Sequence, residues 1–182
     1  SLHHRDMIRE MLDKSRWDGI FGFVNTLGSA AIEAGFDPQR TLRHFEYRHY
    51  IPGLYGAALM VAKDVAKDSP KAIEGLVRAI NRGVAAAAGD LDAAIEAVAR
   101  RNPHIDRVAN RARLAGTLRI EMSHPEGSRS GIGDVDDERL QGAIALIAKA
   151  KGLPHLPSPD AVFTRRFLPP LNERVRFLAM PS

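Results

Sequence analysis

The chain of 182 residues contains no cysteine. This excludes structural disulfides, thiolate metal sites and a cysteine nucleophile, while leaving the compartment open. Aromatic residues are sparse, with one tryptophan and three tyrosines. All three tyrosines, Tyr47, Tyr50 and Tyr55, crowd into one short stretch. No apolar run approaches the ~20 residues that a membrane-spanning helix needs. No signal-peptide pattern stands at residue 1, so an export signal, where one is used, is expected to lie outside these residues. Internal repeats and low-complexity tracts are also missing.

What is present fits a soluble domain able to bury a core: 45% hydrophobic and 26% charged residues. The net charge is +4 and the isoelectric point about 9.7. The basic residues are interspersed with acidic ones, and Arg100-Arg101 and Arg165-Arg166 are only pairs. A nucleic-acid binder clusters its basic residues on one face or tail, so no nucleic-acid partner is expected. A positive surface still favours anionic ligands.

Periodicity gives the elements. Met7, Ile8, Met11 and Leu12 predict a helix over 5–15. Residues 17–24 are short, apolar and β-prone and read as a buried strand. A helix is expected over 27–34, ending at Gly35. Strands are expected at 42–47 and 56–62, joined by a connection over 48–53. Beyond them the pattern is helical. Ser69-Pro70 suits a helix start, with Ile73, Leu76, Val77 and Ile80 as its apolar stripe. Asp90 and Asp136 or Asp137 are further cap candidates, Asn102-Pro103 is a break, and Gly152 closes the last long helix. A helix is expected over 105–120, a polar glycine-rich loop over 127–133, and a short helix over 160–167. Three short strands make a poor sheet for so many helices, which suggests that neighbouring strands lie elsewhere.

Several segments, in order, resemble one family. Trp17-Asp-Gly-Ile-Phe-Gly-Phe-Val24 is similar to a strand whose end points into a ligand cleft. Phe45-Glu-Tyr-Arg-His-Tyr50 resembles a crossing segment, and Tyr55 to Gly83 a strand followed by a helix. Gly131-Ile-Gly-Asp-Val-Asp136 with Arg139-Leu140, then Lys151-Gly-Leu153 and Phe163-Thr-Arg-Arg-Phe-Leu168, resemble the closing elements. The family is the substrate-binding proteins of ABC importers, in the branch of thiamine-pyrimidine, nitrate, sulfonate and taurine receptors. The resemblance implies an α/β fold: part of a type II periplasmic-binding-protein fold, helix-rich, the C-terminal half of a two-lobed receptor. It divides the chain into the remainder of a distal lobe (1–47), a hinge crossing (48–53), part of a proximal lobe (54–170) and a tail (171–182). The implied function is binding of a small solute, closed between two lobes, for delivery to ABC permease subunits. The solute is either a thiamine-related pyrimidine or an anion of the sulfonate or nitrate type. Place and partners follow: periplasmic or lipid-anchored outside the cytoplasm, completed by an N-terminal lobe or second chain, with no cofactor. The alternative is a pyrimidine-biosynthesis enzyme of the same fold, whose chemistry is associated with a Cys-rich motif that this chain lacks.

The candidate ligand-binding residues fall in two groups. Phe23, Asn25 and Thr26 follow the expected strand at 17–24 and offer a stacking face, an amide and a hydroxyl; alternatively they are core and helix cap. Tyr50, Tyr55 and His49 surround the crossing segment. There they could sandwich a planar heterocycle or pair with an anion, or they could serve as hinge packing. His3, His4 and Asp6 lack the spacing of a metal motif and read as a solvated terminus. Gly127 to Asp136 matches neither a phosphate loop nor a calcium loop. Gly127-Ser-Arg-Ser-Gly131 is no nucleophile elbow, because arginine stands at its centre. No catalytic constellation and no metal site are expected.

Overall fold

The computed structural model describes residues 3–14 and 16–176. They form ten α-helices and, among the described residues, no strand. The helices are α1 (His4–Leu12), α2 (Val24–Glu33), α3 (Pro38–Thr41), α4 (Lys63–Asp68), α5 (Pro70–Gly89), α6 (Leu91–Ala99), α7 (Arg107–Gly116), α8 (Glu126–Ser130), α9 (Asp137–Lys151) and α10 (Pro159–Val162). A single π-helical turn, Thr117–Glu121, continues α7. No described helix is long and apolar enough to cross a membrane.

This corrects the α/β expectation and, with it, the partial periplasmic-binding-protein fold. Residues 17–23 are irregular and Val24 opens α2; residues 42–46 are irregular and lead into a short turn, Tyr47–His49; residues 56–62 run without helix, turn or ladder partner among the described residues. The cause lies in what β-propensity measures. It reports fit to a pleated surface built with neighbours, and a strand without a ladder partner has no such surface. Gly19 and Gly22 further weaken the first segment.

The helices, by contrast, carry their own start and stop signals. Asp90 accepts from the Ala93 N–H at 2.9 Å, Asp106 from Ala109 at 2.9 Å and Asp136 from Arg139 at 3.0 Å. Each satisfies an orphan donor of a first turn. Pro70 opens α5 behind Ser69, whose carbonyl accepts from the Ala72 and Ile73 N–H groups. Gly152 ends α9 in the left-handed conformation. The expected helix over 160–167 is only the four residues of α10, and the expected loop at 127–133 begins inside α8. Of the expected tail, residues 177–182 lie outside the described ones.

The chain divides into two compact units. Of the described residues, the first holds those up to Glu46 together with Ala87–Ile120, and the second holds Tyr47–Ala86 and residues 121–176. In the first, α2 packs on α1 and α7, and α6 packs on α7. Ile8, Ala30 and Ala31 are its buried centre, with Met11, Leu12, Ile20, Phe36 and Leu42 against them. In the second, α10 packs on α9, and Ile73, Leu140, Ala143, Ile144 and Ala148 are buried.

Candidate functional site

The first unit carries an open depression of about 530 Å³ beside α2, α3 and α7, at whose rim Gln39, His44 and Arg119 are exposed. Val24, Ile32 and Leu42 give it apolar walls, and Asn25, Ser29, Gln39, His44 and Arg119 give it polar ones. The polar residues arrive from four parts of the unit. Asn25 and Ser29 lie one helical turn apart on α2, so both face the same side. Gln39 is carried by α3, whose start is set by Asp37 accepting from the Gln39 N–H at 2.9 Å. His44 follows in the irregular stretch after α3, and Arg119 sits in the π-helical turn after α7.

The chemistry of this lining is one-sided. It offers a guanidinium, an imidazole, two carboxamides and a hydroxyl, and no carboxylate. The buried Ser29 hydroxyl donates to the Thr26 carbonyl at 3.0 Å, so its lone pairs remain as acceptors. The N-terminal end of α2, whose cap residue Phe23 supplies no side-chain hydrogen bond, lies at the same cavity. Its dipole adds a partial positive charge.

Asn25 is held by a close helix crossing. Gly116 on α7 lies so near that a Cβ there would overlap the Asn25 amide. Gly116→Ala is therefore expected to force the Asn25 side chain round and to cost about 1–3 kcal/mol of stability. Thermal unfolding of Gly116→Ala, Asn25→Ala and the double variant checks this. The penalty should largely vanish in the Asn25→Ala background, where nothing remains to clash.

The sequence-derived candidates separate. Asn25 lines the cavity; Thr26 is one residue further along α2 and gives its carbonyl to Ser29. Phe23 caps α2 and is more than half exposed, and it does not line the cavity. His49 and Tyr50 belong to the second unit, in and just after an exposed turn, with Tyr50 68% exposed. Tyr55, also in the second unit, is engaged within the chain. Its hydroxyl lies 3.0 Å from both Glu126 carboxylate oxygens, and it accepts from the Asp136 N–H at 2.8 Å. The Arg139 guanidinium stacks 4.1 Å over its ring and donates to Glu126 at 3.0 Å.

Ser29, Gln39, His44 and Arg119 were not legible as site residues. His44 reads in sequence as part of a basic run, and nothing local marks the other three. Glu126 likewise gives no signal beyond its place after Pro125. Comparison with protein-family models, with curated proteins and with solved structures finds no match.

Proposed function

We propose that this chain is a solute-binding polypeptide of an ABC import system and that its solute is a small anion of the sulfonate or nitrate type. The observation that carries the choice of solute is the lining of the first unit's cavity. Arg119 supplies positive charge, His44, Asn25 and Gln39 supply polar groups able to donate, and the lining holds no carboxylate. The aromatic groups that would have suited a pyrimidine are not in this lining, and Tyr55 is engaged with Glu126 and Arg139. The importer context rests on the order of the segments from Trp17 to Leu168 that resemble the receptor family, of which the stretches expected as strands are irregular in this structure. In this reading the solute is bound without chemical change, the partner is the permease, and the place of action is outside the cytoplasmic membrane.

Isothermal calorimetry with nitrate, taurine, an alkanesulfonate and an aminopyrimidine tests the reading. The anions are expected to bind and the pyrimidine to stay silent. Arg119→Ala is expected to weaken the anion by about tenfold to a hundredfold, the worth of one charge-assisted hydrogen bond. Silence with all the anions, or binding of the pyrimidine alone, overturns it.

A further inference from the structure

Residues 56–62, Gly-Ala-Ala-Leu-Met-Val-Ala, are exposed throughout and adopt no helix, turn or bend, with Met60 90% accessible. Among the described residues, no N–H of 56–62 and no C=O of 56–61 makes a hydrogen bond; the Ala62 carbonyl accepts from Ala66 in α4. An endopeptidase binds several residues of its substrate in extended form, so a folded backbone must open before it is cut. Here no hydrogen bond stands in the way, and nicking concentrates at exposed stretches of small residues. Composition selects the enzyme. The stretch holds neither charge nor proline, and it offers Ala57, Ala58, Leu59 and Val61 to an aliphatic specificity pocket. Comparable residues outside the helices are defended. Ile20 and Leu42 pack against the core of the first unit. Leu153 and Leu156 are each followed by a proline, whose ring and missing N–H resist cleavage.

We propose that 56–62 is a proteolytic nicking site for an endopeptidase of aliphatic specificity, and that the nicked chain stays folded as two pieces. In the cut, water adds across one peptide bond of the stretch, leaving a carboxylate on the first piece and an amine on the second. The topology holds the pieces together, because each unit draws on both sides of the cut. In the first unit, α2 lies before the cut and α7 after it, and the two helices pack on each other. In the second unit, the residues just before the cut are anchored to residues after it. The Tyr55 hydroxyl meets the Glu126 carboxylate at 3.0 Å, and Arg139 donates to the Leu54 carbonyl at 2.9 Å. On the other side of the cut, α4 begins at Lys63, and Ile73 of α5 is buried. The new ends fall between these anchors, in backbone that gave the fold a single hydrogen bond, that of the Ala62 carbonyl.

Limited digestion of the full chain with elastase, read by intact-mass spectrometry, tests the proposal. The first products are expected to be one complementary pair that divides within 56–62. Bonds inside α2, α5, α7 and α9, which open only when their helices do, should be cut at least about a hundredfold more slowly. Ala58→Asp combined with Val61→Asp offers charge to an apolar pocket and should slow the first cut by about a hundredfold. Both positions are exposed, so circular dichroism should not change. On a sizing column in native buffer the two pieces should elute together, where the intact chain does, and they should separate in urea. A first cut outside 56–62 overturns the proposal, and so does separation of the pieces in native buffer.

Discussion

Glu126→Ala is expected to lower the stability of the second unit by about 3–5 kcal/mol, the cost of breaking a buried ion pair from one side. The Glu126 side chain is only 10% exposed, and its partners converge from distant parts of the chain. Tyr55 gives its hydroxyl and Arg139 a guanidinium nitrogen at 3.0 Å. Arg139 in turn donates to the Leu54 carbonyl at 2.9 Å and the Gly53 carbonyl at 3.3 Å. One carboxylate thus holds the 53–55 stretch to the start of α9. Alanine leaves a half-buried guanidinium and a phenol without their acceptor. Glu126→Gln keeps an acceptor for Tyr55 and should lose less. All three tyrosines are in this unit, whereas Trp17, the chain's single tryptophan, is in the other. Tyrosine absorbance in urea therefore follows the affected unit. Its midpoint should fall by more than about 1 M urea, from the expected cost and ordinary denaturant slopes. An unchanged midpoint sinks the assignment.

Alkali attacks the same group. Burial pushes the Tyr55 hydroxyl above its ordinary value, and the facing Glu126 carboxylate adds to this; the Asp136 N–H and Arg139 offset it only in part. A raised acid contributes stability that is fully present below the unfolded value of about 10 and is lost as pH rises through the folded one. Tyr55→Phe should flatten that alkaline limb.

Asp134→Ala is expected to cost a similar amount, about 3–5 kcal/mol, because it strips the shared partner from two arginines. Asp134, 10% exposed, takes the Arg174 guanidinium at 2.6 Å, Arg165 at 2.7 Å and the Val135 N–H at 2.8 Å. Arg174 also donates to the Pro169 and Ser130 carbonyls, and Arg165 to the Val135 carbonyl and to Asp137. The carboxylate therefore ties the turn before α9 to the chain after α10. Gly131 shows how tight this is: its φ is +76°, and a Cβ there would come within 2.7 Å of the Arg174 side chain.

The pH dependence has the opposite sign to that of Tyr55. Burial alone raises the Asp134 carboxyl, but the Val135 N–H and the two guanidiniums outweigh it and hold it below its ordinary value. A depressed acid contributes stability that is present above the unfolded value of about 3.9 and is lost as pH falls through the lower folded one. Acid denaturation of the wild type against Asp134→Asn checks this. The difference between them should shrink below about pH 4, and a constant difference would rule out the ion pairs as its source.

Helix starts were readable because their signals are local. Asp90 and Asp136 cap with their own side chains the helices they precede, and Pro70 and Gly152 set backbone angles wherever they stand. The buried stripe of α9, Leu140, Ala143, Ile144 and Ala148, follows from a repeat of 3.6 residues. Strands are not local. The apolar runs at 17–24, 42–47 and 56–62 have the composition of strands, but pairing is a property of two segments, and here none forms. The site divides in the same way. Asn25 was named for its place after a strand that does not form, and it lines the cavity from the first turn of α2 instead; Ser29, Gln39, His44 and Arg119 share that cavity only because helices α2, α3 and α7 pack together.

By itself, then, the sequence determined the capped starts at Asp90 and Asp136, the Pro70 start and the Gly152 stop, and it excluded thiol chemistry outright; of the stripe expected on α5, Ile73 is buried while Leu76 and Ile80 are exposed. Tertiary structure decided that no sheet forms among the described residues. It also decided that Tyr55 serves Glu126 and Arg139, and that an arginine and a histidine far apart in the chain line one cavity. The physical reason is range. Caps and periodicity act over a few residues, whereas ladders, buried ion pairs and cavities need partners that only the packed chain supplies.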